Sequence, residues 1–197
     1  MFFSDTTVRT FFRTEISLCA LLIISCAGPI KEFYPDSYFV EDGVYQNRPI
    51  GFSLTFSGNW ELVTEPSRME KGSRSFARTL QESGADLLFV GTTFEKTQGV
   101  RGIAINLNVP CEEYAENIRV INARDVTTDF GLTVHELHGK PLVRWDYVVG
   151  EYRFAEYFYL LDTYDIRIAF WTKPAIFERF DPVYRKIIES ISFIGRL

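Results

Sequence analysis

The chain has 197 residues, room for one domain or for one domain behind a processed leader, and its 46% hydrophobic and 24% charged residues are the balance of a foldable globular protein. A formal net charge of −5 with scattered basic residues excludes the electrostatic footprint of a nucleic-acid binder. With 18 Phe and 10 Tyr, aromatic side chains supply ample surface for a core.

The chain opens with residues 1–15, which carry Arg9 and Arg13, followed by an uncharged apolar run, Ile16–Ser25. Such a run makes about 15 Å of helix, whereas a bilayer core requires ~20 residues. It is too short for a permanent span and has the length of a signal-peptide core. Ile23-Ile24-Ser25-Cys26 then resembles the bacterial lipobox: aliphatic residue, small residue, cysteine. That resemblance implies cleavage before Cys26, a thioether from its sulfur to diacylglycerol, and acylation of the new amino group. Two or three chains make a stable anchor, because each buried CH₂ adds ~0.8 kcal/mol and one chain alone is marginal. Ala27 after the cysteine resembles an outer-membrane sorting signal. The long charged region before the run, and Glu15 against it, depart from the ideal pattern.

Residues 1–25 are therefore read as a lipoprotein signal peptide, 26–43 as a tether ending in an approach strand, and 44–197 as one domain. Loss of the leader removes Arg9 and Arg13 together with Asp5 and Glu15, so the charge balance survives. Of Cys19, Cys26 and Cys111, only Cys111 remains as a thiol, and the domain has no internal disulfide to rely on.

Within the domain, Val44–Asn47 reads as a strand, Arg48–Gly51 as a turn and Phe52–Phe56 as an alternating strand. Ser57-Gly58-Asn59 is turn chemistry, and Trp60–Val63 is extended. Residues 67–83 read as a helix whose Arg68, Lys71, Arg74 and Arg78 form a solvated face. Strands follow at Asp86–Phe94 and Arg101–Val109, joined by Lys96–Gly99, and then a helix at Glu112–Asn122. Leu132–Leu137 and Leu142–Val149 flank a turn at His138–Pro141. Tyr152–Leu161 and Ile166–Trp171 flank a turn at Asp162–Asp165. Turns this short make the flanking strands antiparallel neighbours. Pro174 starts a last helical segment, and Asp181 with Pro182 is an N-cap followed by a first-position proline, which restarts it. Ile176, Phe177, Phe180, Val183, Tyr184, Ile187, Ile188 and Ile191 follow the helical period, and this stripe must lie across the sheet.

The opening Tyr45-x-Asn47-x-x-x-Gly51-Phe52-Ser53-Leu54 with Trp60 a few residues on, and the closing Thr172 followed by Phe177-Glu178-Arg179-Phe180-Asp181-Pro182 through Ile188–Phe193, resemble PsbP-like and DcrB-like domains. The resemblance spans about residues 44–193. It implies an α+β fold, an antiparallel sheet flanked by helices on both faces in an α/β/α sandwich. It also implies a family of mostly non-enzymatic members, among them a photosystem II extrinsic subunit, a Ran-GTPase-binding protein and several envelope lipoproteins. The segment 67–83 has no counterpart in that pattern. Fold alone does not transfer function.

Chemistry-bearing residues are sparse. His135-Glu136-Leu137-His138 has the wrong spacing for a zinc protease and sits on a strand and turn, where alternation sends the imidazoles to opposite faces. No metal and no cofactor is expected. Cys111, after Pro110, is placed at a helix N-terminus, which lowers a thiol's pKa, while Glu112 and Glu113 oppose that effect. A hydrolase elbow and phosphate-cradling glycine loops are absent. Tyr152, Phe154, Tyr157, Phe158, Tyr159 and Leu160 leave both faces of one strand apolar, as in a covered central strand. The expected function is a membrane-anchored, non-catalytic binding or accessory module for another envelope protein, held on the periplasmic side by Cys26. An envelope hydrolase using carboxylates or Cys111, and a small-ligand or lipid carrier, are the alternatives.

Overall fold

The computed structural model describes residues 38–195. The signal peptide 1–25, Cys26 and the tether up to residue 37 lie outside the described residues. The approach strand is Tyr38–Phe39 (β1), which pairs antiparallel with Val44–Asn47 (β2) and is held by the Tyr38 hydroxyl donating to the Trp60 carbonyl at 3.1 Å.

The described residues form a mixed α+β fold with two antiparallel sheets and three α-helices, where the sequence reading had one sheet. The smaller sheet runs β1, β2, Phe52–Thr55 (β3) and Ser192–Phe193 (β11). Gly58, at φ +106, turns the chain out of it, and Trp60–Val63 (β4) enters the larger sheet. There β4 is followed by Ala85–Thr93 (β5), Gln98–Ile105 (β6), Tyr164–Thr172 (β10), Tyr152–Leu161 (β9), Lys140–Val149 (β8) and Thr128–Leu137 (β7).

The hairpin turns are tighter than the turn-residue clusters suggest. Leu137 pairs with Lys140, leaving only His138 and Gly139 between them, both at positive φ (53° and 74°). That is the backbone of a two-residue hairpin whose twist matches its strands. Pro141 consequently sits in β8, beyond the last pair with β9, so its missing N–H leaves that ladder intact. Leu161 likewise pairs with Tyr164, so Asp165 is a strand residue and not part of the turn. Strand β6 stops at Ile105 instead of Val109; Asn108, at φ 54°, interrupts the extended chain beyond it.

The first predicted helix is a 3-10 turn, Pro66–Arg68, followed by α1, Lys71–Glu82, and its four basic residues are exposed as expected. Cys111–Asn122 forms α2. The C-terminal helix α3 runs without a break from Pro174 to Glu189, with Pro182 inside it. The expected restart at Asp181 is corrected here. Pro182 removes one backbone donor, but Phe177, Tyr184, Ile187 and Ile188 are buried on both sides of it and carry the helix through.

Packing follows the strand alternation. Val143, Trp145 and Tyr147 of β8 and Phe158 of β9 cluster with Cys111, Tyr114 and Ala115 of α2. Fully burying residues such as Trp145 and Phe158 contributes about 2–3 kcal/mol each. Met69, Ala77, Ala85, Leu87 and Ile103 form a second cluster around α1. On β10, Phe170 stacks on Tyr184 of α3 with ring centroids 4.7 Å apart. Tyr45 of the smaller sheet meets Phe89 of β5 edge-on at 4.7 Å. Gly102 opposite Phe89 is required by space, since a Cβ there would come within 2.5 Å of that ring. No helix among the described residues is long and apolar enough to cross a membrane.

Candidate functional site

Charges interrupt the apolar central strands, and Arg144, Glu156 and Arg167 are buried beside opposite charges. Arg144 alternates with Val143 and Trp145 and so points away from the α2 cluster. Its guanidinium donates to both Asp146 carboxylate oxygens, Nε at 2.6 Å and Nη2 at 2.5 Å, and to the Tyr157 hydroxyl from Nη1 at 3.1 Å. Nη2 also lies 2.7 Å from Asp181 Oδ1 of α3, whose Oδ2 accepts from Arg185 Nε at 2.9 Å. Burial works against the Arg144 charge, but the hydrogen bonds to Asp146 and Asp181 prevail and hold its pKa above the ordinary value. For Asp181, burial is likewise outweighed by Arg144 and Arg185, which hold the carboxyl below the ordinary value.

A second cluster contains Glu156 of β9, which is fully buried. Arg167 Nε donates to Glu156 Oε1 in a short contact, and the Tyr147 hydroxyl donates to Oε2 at 2.9 Å. Burial opposes ionisation of Glu156, but the Arg167 and Arg101 charges hold its pKa down. The Tyr147 hydroxyl is pushed up by burial and by Glu156. A fully desolvated carboxylate stays charged only with a partner this close. Among the described residues Asp165 has no such cation. Burial raises its pKa, while the backbone amides of Val109, Asn108 and Leu107 draw it down, and neither oxygen completes a hydrogen bond of ordinary geometry.

The structure separates the residues that the sequence singled out. Cys111 opens α2 as expected, but it is 4% exposed and its thiol donates to the Phe158 carbonyl at 2.9 Å. Burial, reinforced by Glu112 and Asp165, pushes its pKa up to about 11, so the anticipated activation by the helix terminus does not prevail. His138, in the hairpin turn, contacts the Ile191 carbonyl through Nε2 at 2.8 Å. His135, exposed on β7, contacts the Thr133 hydroxyl at 3.3 Å. Cys111 thus lies in the cluster around Phe158, apart from the surroundings of either histidine. Among the described residues, no group of three His, Cys, Asp or Glu side chains is placed to hold a metal ion. The aromatic strand is core: Tyr157, Phe158 and Tyr159 are buried, and only Tyr152 at its start is exposed.

An open pocket of about 240 Å³ lies beside the Arg144 cluster. Leu142, Arg144 and Tyr157 line it from the sheet, His135, Glu136 and Leu137 from β7, and Arg185, Ile188 and Glu189 from α3. Among the described residues strand β7 pairs only with β8 and is one edge of the larger sheet. It bulges between Asp129 and Leu132, where Asp129 Oδ1 accepts from the Gly131 amide at 2.8 Å and from Trp145 Nε1 at 2.9 Å. Phe130 and Val134 on this edge are 55% and 59% exposed. The sequence reading passed over the ion clusters and this pocket. Their signal is present in the strands: Arg144, Glu156 and Arg167 each have an apolar residue on either side in a buried strand.

No family model and no curated protein matches the chain. Among solved structures, cyanobacterial PsbP (CyanoP) from Synechocystis sp. PCC 6803 is similar with a TM-score of 0.55 at 10% identity, covering 84% of this chain and 99% of that one. A protein of unknown function from Pseudomonas aeruginosa, PA94, aligns over 50% of this chain and 74% of its own at 12% identity, with a TM-score of 0.40. At that identity the CyanoP likeness speaks for the fold alone, and the fold of this chain is PsbP-like.

Proposed function

We propose that this chain is a bacterial envelope lipoprotein, anchored through Cys26 on the periplasmic side of the outer membrane, whose domain is a non-catalytic binding or accessory module for another envelope protein. In this reading the domain is an α/β/α sandwich, with helices on both faces of the larger sheet. Alternation supports that layering: Phe158 meets Tyr114 of α2, whereas its neighbour Tyr157 joins Arg144 and faces the ring of Phe170, which stacks on Tyr184 of α3. The observation that carries the module reading is the contrast between interior and edge. Arg144, Asp181, Glu156 and Arg167 are committed to one another inside the chain, while β7 offers backbone and apolar side chains outward.

Two experiments test it. Cys26→Ala is expected to abolish lipid labelling and release the protein from the membrane fraction; retention with unchanged mass would remove the anchor. Crosslinking in intact cells followed by purification of the acylated chain is expected to recover a stoichiometric envelope partner that survives Cys111→Ala, and recovery of none would remove the module.

A further inference from the structure

On strand β8, Leu142 and Arg144 share the face of the sheet that looks toward α3, since Arg144 reaches Asp181 there. Register carries that face across to β7, where Thr133 pairs with Arg144 and His135 with Leu142. Glu136 pairs with Pro141 and turns its carboxylate to the opposite face. On α3, Asp181, Arg185 and Ile188 follow one another at helical spacing, and Glu189 lies one turn beyond Arg185. The pocket between strand and helix therefore has Leu142, Tyr157 and Ile188 as walls and His135, Arg185 and Glu189 as polar groups, beside the engaged Arg144. Its volume of about 240 Å³ is below the ~300–1,000 Å³ of drug-sized sites, which limits an occupant to a small molecule.

Charges of both signs stand open in it. Arg185 precedes Glu189 by four residues, the spacing of a helical ion pair, yet its Nε donates back to Asp181 at 2.9 Å. That leaves the two Nη groups of Arg185 as donors for an anion, with the imidazole of His135 in the same pocket. Among the described residues Glu189 has no ion-pair partner. It closes α3, where the partial negative charge of the helix end favours a cation. A ligand of one sign meets its own charge on one side of the pocket. A small zwitterion, with carboxylate and ammonium on one carbon, satisfies both sides.

We infer that this pocket binds a free α-amino acid with an apolar side chain: Arg185 and His135 hold the carboxylate, Glu189 holds the ammonium, and Leu142 and Ile188 cover the side chain. The inference goes beyond the module reading and requires neither the anchor at Cys26 nor a protein partner.

The test titrates leucine and methionine into the full acylated chain in detergent and follows the heat. Two analogues of leucine serve beside them: isocaproate, which lacks the ammonium, and isoamylamine, which lacks the carboxylate. Each is expected to bind about fivefold more weakly than leucine, having lost one partly exposed ion pair. Glu189→Gln is expected to bring leucine down to the affinity of isocaproate while keeping the melting temperature. Binding of neither amino acid at millimolar concentration, equal affinities for leucine and both analogues, or a preference for leucine over isocaproate that survives Glu189→Gln would overturn the inference. The two readings fail separately. Amino-acid binding without a crosslinked partner leaves the pocket standing, and a partner without amino-acid binding leaves the module standing.

Discussion

Asp181 Oδ1 on helix α3 lies 2.7 Å from Arg144 Nη2 in the middle of strand β8, so one ion pair joins the C-terminal helix to the sheet. Both side chains are nearly buried, at 4% and 11% exposure, and removing the cation leaves Asp181 with Arg185 alone and Asp146 with no cation nearer than Arg153 at 4.0 Å. Arg144→Met is expected to destabilise the fold by about 3–5 kcal/mol, the usual consequence of leaving a buried charge without its partner. Urea unfolding of the variant would check this; a loss below about 1 kcal/mol would mean that water reaches the carboxylates.

The same pair sets an acid limit. Asp181 has its folded pKa held below the ordinary 3.8, so its contribution is fully present above that value and disappears as pH falls through the lower, folded pKa. Thermal melts from pH 7 down to pH 2 are expected to fall less steeply for Asp181→Asn than for the wild type below about pH 4. Parallel acid limbs would show that Asp181 is not the responsible group.

Inside the sheet, Glu156 and Arg167 form the more deeply buried pair. Arg167→Met alone is expected to cost about 3–5 kcal/mol, because Glu156 then keeps only the Tyr147 hydroxyl as a close partner. Replacing both, as Glu156→Leu with Arg167→Met, is expected to restore most of that loss, since an apolar pair avoids desolvating two charges. A double-mutant cycle in denaturant measures the coupling. Simple additivity of the two losses would contradict the direct pairing.

How far these features can be read from the chain differs by element. Alternation in Val143–Val149 and Ile166–Phe170 locates the central strands because one face is uniformly apolar. The helical stripe through Ile188 places α3 for the same reason. Pro182 misleads because local cap chemistry and an interior proline look alike in sequence, and only the buried stripe on both sides decides between them. The second sheet is not legible. Strands β1 and β11 are two residues each, too short for any period, and they exist by pairing with Tyr45–Val44 and Ser53–Phe52. The ion clusters are half legible: a charge flanked by apolar residues in a strand announces a buried partner, and Asp146 lies two residues from Arg144, but Arg144 finds its other acidic partner in α3, across a separation no local pattern encodes.

Cys111 is expected to behave as an inert core residue. With its pKa pushed up to about 11, roughly one thiol in a thousand is ionised at pH 8. Iodoacetamide at that pH is expected to modify Cys111, located by peptide mass, at least about a hundred times more slowly in the folded chain than in urea. Fast labelling without denaturant would instead make Cys111 an accessible nucleophile and revive the hydrolase alternative.

Asp165 offers the opposite sign of pH dependence from Asp181. Its residue is 1% exposed, and burial raises the pKa of its carboxyl against the pull of the amides at positions 107–109. A folded pKa above the unfolded one means that the acid form fits the fold better. The contribution is fully present below the ordinary value of 3.8 and is lost as pH rises through the folded pKa. Above its folded pKa the fold therefore holds a carboxylate it would prefer neutral. Asp165→Asn, of nearly the same shape, is expected to raise stability at pH 7 by about 1 kcal/mol and to leave it unchanged near pH 3. Denaturant midpoints at the two pH values check both halves of the statement. A variant that loses stability at pH 7 would show that the pull of the backbone amides of Leu107, Asn108 and Val109 on the carboxylate outweighs the desolvation of the charge.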